Sequence, residues 1–400
     1  MQFLEFFVWG SWLISFGYYM GNMGMGDRIG TLFATLGIAS FIMPTIVGII
    51  ADRWLNSEKL FGILHILGAC CLYLASKATS FNELYLYMFF NALVFMPTIG
   101  LSYSVCYSIM AKNRMDTVKD FPPIRTWGTV GFIIAMWTVD LSGWVVSSNQ
   151  LILASITAFI LGLYAFTLPP SPPTRVQKGS SLLSVLGLDA LVLLKRQKMA
   201  IFFLFAVLLG VCLQITNSYG SLFLGGFRDA FPNSFVVEHP IMLLSVSQIS
   251  EALFILAIPF VMKRFGIKTV LLISLAAWVL RFGFFGIGNP GSGLTWLVLS
   301  MIIYGVAFDF FNISGSLFIE KETPAKFRSS AQGMLMMVTN GLGAILGNYG
   351  AQTVINYFTC DGVTNWRVCW FIFAGYALVI GILFALTFHP EKKGTEVLKD

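Results

Sequence analysis

Charged residues are scarce in this chain. Asp, Glu, Lys and Arg together make up 11% of its 400 residues, against 57% hydrophobic residues. A soluble globular domain carries about twice that charge, so a water-soluble fold is excluded and a polytopic membrane protein is expected. Histidine is scarcer still, with three residues. No Cys/His group has metal-ligand spacing, which argues against a metal enzyme. There is no P-loop and no nucleophile paired with a base, so no enzyme, no catalytic residue and no cofactor are expected. Of six cysteines, most fall in apolar runs, where a thiol is a small hydrophobe; Cys360 and Cys369 are the one pair for which a disulfide is considered. The first apolar run has no basic segment before it and carries Glu5, so it reads as a retained span, not a cleaved signal. The net charge of +6 is spread over many short loops, a mark of membrane topology and not of nucleic-acid binding.

What the chain does have is long apolar runs. Twelve of them, near 3–22, 29–51, 60–78, 82–110, 122–141, 150–169, 199–224, 241–262, 268–288, 294–319, 329–354 and 366–388, are long enough to cross a bilayer as helices. Helices are required because every backbone polar group in lipid must be satisfied within its own segment. With both termini on one side, the loops of that side hold nineteen Lys and Arg, and the opposite loops hold only Arg28, Lys77, Arg228 and Arg367. The positive-inside rule then makes both termini cytoplasmic.

The longest polar interruption divides the spans six and six. It opens with Pro169-Pro-Ser-Pro-Pro173 and continues into residues 182–194, which read as an interfacial helix. The expected organisation is a six-helix bundle over 1–169, a cytoplasmic linker over 170–198, a second six-helix bundle over 199–390 and a tail over 391–400. An echo supports the duplication: Gly48-Ile-Ile-Ala-Asp52-Arg53 follows the second span and Pro259-Phe-Val-Met-Lys263-Arg264 follows the eighth.

Several ionisable and amide residues lie deep inside these spans. Asp309 sits about 16 Å of helix from Glu320, Glu251 about 18 Å from Lys263 and Arg281 about 20 Å from Lys268. All three share one level near the midplane. An intramembrane acid marks a substrate or proton pathway unless it is held in a static pair, and Arg281 is the countercharge within reach of that level. Asn312 and Ser316 follow Asp309 at i+3 and i+7 on one face. Gln214 with Asn217, and Gln248 with Glu251, repeat an i, i+3 spacing; such amides either glue helices together or meet a neutral polar ligand. Arg125, Thr129 and Phe132 are spaced i, i+4, i+7. Arg125 either snorkels to headgroups or turns inward, and Gly128 and Gly131 beside it suit close helix packing. Pro44 and Pro97 should kink the second and fourth spans. His65 reads as a helix-packing residue and Glu5 as a weak candidate.

Twelve spans in two halves, with Gly48-x-x-x-Asp52-Arg53 after the second, resemble the major facilitator superfamily; Trp54-Leu-Asn-Ser-Glu58-Lys59 departs from that family's usual continuation. Longer blocks resemble a narrower group, the bacterial nucleoside:proton symporters of the NupG type. They are Trp9-Gly-Ser-Trp12, Asp120-Phe-Pro-Pro-Ile-Arg125 with Trp127-Gly-Thr129, Leu186-Gly-Leu-Asp189, Leu213-Gln-Ile-Thr-Asn217, Ser247-Gln-Ile-Ser-Glu251, residues 304–316 and Ser330-Ala-Gln-Gly333. The resemblance implies a nucleoside pocket of Arg125, Thr129, Phe132, Gln214, Asn217, Gln248 and Glu251, with Phe308 and Asp309 beside it. It implies a gating loop at Asp52 and Arg53, and Asp309, Glu251 and Arg281 are assigned to proton coupling.

The expected function is proton-coupled nucleoside uptake by alternating access in the bacterial inner membrane, with nucleoside, proton and lipid bilayer as partners, no nucleic acid, and a working monomer. A sugar or oligosaccharide symporter is the first rival, since it would also use amides, acids and an aromatic platform. A membrane receptor that binds nucleosides without moving them is the second.

Overall fold

The computed structural model describes residues 1–173, 188–324 and 327–388. The fold is all-helical, with twelve membrane-crossing segments in two six-span bundles, as expected. Among the described residues, seven helices are each long and apolar enough to cross a membrane. The other spans are shorter, charged at one end, or broken into pieces.

The first span is two helices, α1 (Gln2–Gly10) and α2 (Phe16–Asn22), not one. Between them the hydroxyl of Ser11 donates to Phe7 O at 2.7 Å, and that of Ser15 donates to Trp12 O at 3.3 Å and to Gln150 Oε1 at 2.7 Å. Hydroxyls that bond back to the preceding turn compete with the helix ladder and bend it. The rest of the first half is α3 (Ile29–Arg53), α4 (Ser57–Lys77), α5 (Phe81–Lys112), α6 (Thr117–Leu141) and α7 (Asn149–Ala165). Ser80 and Glu83 form a reciprocal capping box that starts α5. Pro44 and Pro97 lie inside α3 and α5.

The second half opens with α8 (Gln197–Gly225) and a one-turn helix, α9 (Phe235–Glu238). Its second span runs from α10 (Pro240–Phe254) through a 3₁₀ turn, Ile255–Ala257, into α11 (Ile258–Ile287). No loop separates this span from the next: Gly266, at φ 75° and ψ 169°, turns the chain within α11. Then come α12 (Leu294–Glu322), the eleventh span as α13 (Arg328–Met336), a π-helical stretch over Met337–Gly343 and α14 (Ala344–Tyr357), and the last span, α15 (Trp366–Thr387). A small hairpin pairs β1 (Thr359–Cys360) with β2 (Val363–Thr364), placing Thr359 opposite Thr364. Its turn residues Asp361 and Gly362 both have positive φ, the conformation a two-residue hairpin needs. Cys360 is exposed and Cys369 is buried, and both are free thiols, so the disulfide considered for them is not formed.

Helix pairing repeats between the halves. Spans 1 and 5 pack together, as do 2 and 4, 3 and 4, and 3 and 6; the same pairs recur as 7 with 11, 8 with 10, 9 with 10 and 9 with 12. Close approach is set by small residues: at Gly131 a Cβ would lie 2.2 Å from Phe3 O of α1, so the packing expectation for that glycine holds. On α15, Trp370, Phe373, Ala377, Ile380 and Phe384 are buried, while Phe371, Leu378, Val379 and Ile382 on the other side are exposed. A helix that is apolar all round belongs half to the core and half to lipid.

After the sixth span the chain is tied back to the start of α4. Glu58 Oε2 accepts from Ser171 N–H at 2.7 Å, and Ser57 N–H donates to Ser171 O at 3.0 Å. Of the expected interfacial helix, residues 182–187 lie outside the described residues, and Leu188–Lys195 is a 3₁₀ helix. The expected tail, 391–400, also lies outside them.

One face of the molecule carries Met1, the ends of α3, α5, α7 and α12, and the starts of α4, α6 and α8; it is the basic face. The other is called here the far face. Among the described residues, every hydrogen bond between the two halves lies toward the far face. Gly30 N–H donates to the Tyr219 hydroxyl at 3.0 Å, Thr31 N–H to Gln352 Oε1 at 2.7 Å, Asn356 Nδ2 to Asp27 O at 2.8 Å and Trp137 Nε1 to Ser245 Oγ at 2.8 Å. At Gly17 a Cβ would lie 2.0 Å from Ser218 O, so only glycine lets α2 meet α8 there.

Candidate functional site

The site is assembled by α6 from the first half and by α8, α10, α11 and α12 from the second. Gly305 of α12 brings α12 against α10: a Cβ there would lie 2.6 Å from Ser250 O and 2.9 Å from Glu251 N. That contact sets Glu251 beside α12. Glu251 is half-buried, Asp309 is buried, and the two lie within electrostatic reach of each other. Asp309 Oδ2 has no hydrogen-bond partner. A buried, unpartnered carboxylate oxygen is costly unless a proton or ligand meets it.

Tyr304, one helical turn before Phe308, is the centre of the second-half portion. Its hydroxyl faces the Gln248 side chain. Its ring stacks on Phe308 with centroids 5.8 Å apart and planes 6° from parallel, and meets Trp278 edge-on at 6.0 Å. The Arg281 guanidinium lies over the Tyr304 ring at 4.4 Å and over Phe285 at 5.2 Å. Arg281 donates to Ser300 O at 2.8 Å and to Ser247 Oγ at 3.3 Å, and Ser300 Oγ donates back to Arg281 O at 2.9 Å. Arg281 and Asp309 therefore form no ion pair. The shared depth read from the sequence is a coordinate along the helix axis, whereas the partner of Arg281 is decided by the rotation of α11 against α12. That rotation places it at the level of Ser300 and Tyr304, about 7 to 13 Å of helix from Asp309.

From the first half, Arg125 is turned inward, although it does not contact a carboxylate directly. Its Nε donates to the Tyr103 hydroxyl at 2.8 Å and its guanidinium lies 4.0 Å from the Phe6 ring centroid. Glu251, across the boundary between halves, lies within reach of its charge. Phe132 is buried and meets Trp9 edge-on at 6.3 Å; Thr129 is half-buried. Gln214 and Asn217 are half-buried on α8, the latter next to the point where Ser218 donates to Asn348 Oδ1 at 2.5 Å. Their amides make no hydrogen bond among the described residues, which leaves donors and acceptors for a ligand. Asn312 and Ser316 line a cavity of about 450 Å³ with Gln332 and Met336 nearer the basic face, where Ser316 Oγ donates to Gln332 Oε1 at 2.9 Å. Asp52 and Arg53 are exposed in the last turn of α3 at that face, apart from this constellation.

Sequence reasoning gave no role to Tyr304, Tyr103 or Phe6 and undervalued Glu5, whereas its reading of His65 as a helix-packing residue agrees with the structure. Glu5 Oε2 lies 2.6 Å from His65 Nε2, and Glu5 Oε1 accepts from Thr98 Oγ1 at 2.7 Å, all three fully buried. The pair holds α1, α4 and α5 together. Tyr304 sits a turn from Phe308 and Asp309 in the polar stretch already singled out, which was the available signal. Nothing in the sequence links residues 5, 65 and 98.

The sequence model of the family described as nucleoside H+ symporter matches residues 1–393. The chain is 50% identical over 401 residues to the xanthosine permease of Escherichia coli (strain K12), covering 98% of this chain and 96% of that protein. It is 47% identical over 393 residues to the nucleoside permease NupG of the same organism, covering 97% and 94%. The crystal structure of nucleoside transporter NupG superposes with a TM-score of 0.91 at 46% identity, covering 98% of each chain. The chain belongs to the nucleoside H+ symporter family.

Proposed function

We propose that this chain moves nucleosides together with protons into the cell across the bacterial inner membrane, as a monomer. It does so by alternating access, the bundles 1–169 and 199–390 rocking about the site while residues 170–198 link them. The asymmetry of loop charge orients it: the basic face is cytoplasmic and the far face outward. One arrangement carries the reading. Arg125 and Glu251 lie within electrostatic reach of each other across the boundary between the halves, while the inter-half hydrogen bonds lie on the outward side, as in an inward-open carrier.

Within the site, Gln214, Asn217, Gln248 and Glu251 hold ribose hydroxyls and base edges, which donate and accept. Phe308 with Tyr304, and Phe132 with Trp9, supply aromatic walls. Arg125 and Thr129 complete the first-half side. Asp309 and Glu251 carry the proton; neutralising a desolvated carboxylate makes movement of the halves cheaper. Arg281 fixes the positive field at Tyr304 and Gln248 and is not in direct contact with Asp309. Asp52 and Arg53 act at the cytoplasmic gate.

The test is uptake of labelled uridine and adenosine into proteoliposomes, with and without an inward proton gradient, for the wild type, Asp309→Asn and Glu251→Gln. Gradient-driven uptake is expected, falling about 10-fold or more in each variant because an amide cannot take up and release the proton. Uptake unchanged in both variants overturns the proton assignment. Competition by hexoses and not by free nucleosides overturns the substrate.

A further inference from the structure

Asp140, in the last turn of α6, reaches across the boundary between the halves. Its Oδ2 accepts from Met242 N–H at 2.7 Å, in the first turn of α10, and its Oδ1 lies 2.9 Å from His239 Nδ1. The Asp140 side chain is fully buried, while that of His239 is 31% exposed. One turn deeper, Trp137 Nε1 donates to Ser245 Oγ and Ser245 Oγ donates to Met242 O. A carboxylate of one half thus caps a helix N-terminus of the other, where its charge is favoured.

We propose that Asp140 and His239 form a proton-binding latch on the far face, which closes the gap between the halves more firmly when the imidazole is protonated. The inference rests on the assignment of that face to the outside. Histidine is the side chain whose ordinary titration falls between about pH 5 and 8. With a neutral ring the contact is one hydrogen bond; with an imidazolium it becomes a charge-assisted pair, roughly twice as strong. Acid outside therefore favours the outward-closed state, and the extra hold is lost when the ring is neutral. A proton picked up from the outside helps shut the outer gate behind the substrate.

The other charged groups on this face are Glu238 of α9, Arg228 and Asp229 of the loop after α8, Lys77 at the end of α4, Glu83 at the start of α5, the Arg28–Asp27 pair, Asp361 of the hairpin and Arg367 at the start of α15. The far-face ends of α12 and α8, which pack on α10, carry no charge, and Arg281 meets Ser247 two turns deeper. Among the described residues, Asp140 is the one charged group within ion-pair distance of His239.

Spin labels at Lys77→Cys and Ser292→Cys, both exposed at the far face on opposite halves, report the opening in a background without the six native cysteines. Distances are measured by pulsed electron resonance in nanodiscs, without nucleoside, at about pH 5.5 and about pH 8. The open-to-closed ratio is expected to rise about 5- to 10-fold at the higher pH in the wild type. In His239→Gln it should not change with pH, and in His239→Lys it should stay at the low-pH value. A wild-type ratio indifferent to pH, or a full pH response in His239→Gln, overturns the latch. Uptake is measured in parallel, so failure of nucleoside transport with the pH response intact removes the substrate reading and leaves the latch standing.

Discussion

At the scale of single residues, Asp309 and Arg281 differ in what the protein gives them. Arg281, though its Nε is unpartnered, is held by a carbonyl, a hydroxyl and two rings, whereas Asp309 keeps an unpartnered oxygen and no such cage. The first is a fixed part of the wall and the second is free to take a proton. Tyr304 joins the two by carrying Arg281 on its face and Gln248 on its hydroxyl. Tyr304→Phe keeps the ring and removes the hydroxyl, so the Gln248 amide loses its polar neighbour. A loss of this kind costs about 1 kcal/mol, which is expected to appear as a roughly 5-fold rise in KM with little change in the maximal rate. A fall in maximal rate alone would place the hydroxyl in the moving step instead. The depth of Asp309 was legible in the sequence because distance to the nearest charge counts residues along a helix. The partners of Arg281 were not, because they depend on azimuth, and a helix apolar all round offers no stripe to set it.

At the scale of helices, the number of spans follows from apolar length alone, but their breaks do not. Residues 11–15, Ile255–Ala257 and Met337–Gly343 each depart from α-helical bonding inside an apolar run. Hydropathy is blind to them, since a π or 3₁₀ turn has the same composition as an α turn. Two of the three adjoin the site or the boundary between halves: the 3₁₀ turn follows Glu251, and the π stretch packs on α3 and α8. Gly305 shows how one residue fixes a helix pair. Gly305→Leu would force α12 away from Ser250 and Glu251, an overpacking that costs about 1 to 3 kcal/mol. The expected outcome is a lower thermal unfolding midpoint in detergent together with weakened uridine binding by calorimetry. Unaltered binding would show that the spacing of α10 and α12 does not set the pocket.

At the scale of the whole molecule, the halves meet symmetrically: span 2 packs on span 11 as span 5 packs on span 8. The far-face bonds of Thr31 with Gln352 and of Asp140 with His239 lie on these two contacts. If transport needs both to part, fixing one must stop it. Cysteines at Thr31 and Gln352 joined by a short bis-methanethiosulfonate, which links them through two disulfides, are expected to abolish uptake, with recovery on reduction. Full cross-linking with uptake intact would show that the halves do not separate there.

The sequence by itself determined the solvent of this protein, its twelve crossings and its division into halves, because each depends on composition and spacing along the chain. It also located the deep acids and amides, since a polar residue far from any charge is conspicuous in an apolar run. Only the tertiary structure decided that Glu5 meets His65, that Arg281 turns to Tyr304 and away from Asp309, and that the far face is the closed one. These depend on how rigid helices rotate and lean against each other. That choice is made by the packing of small residues and by hydrogen bonds between segments as far apart in sequence as Thr31 and Gln352.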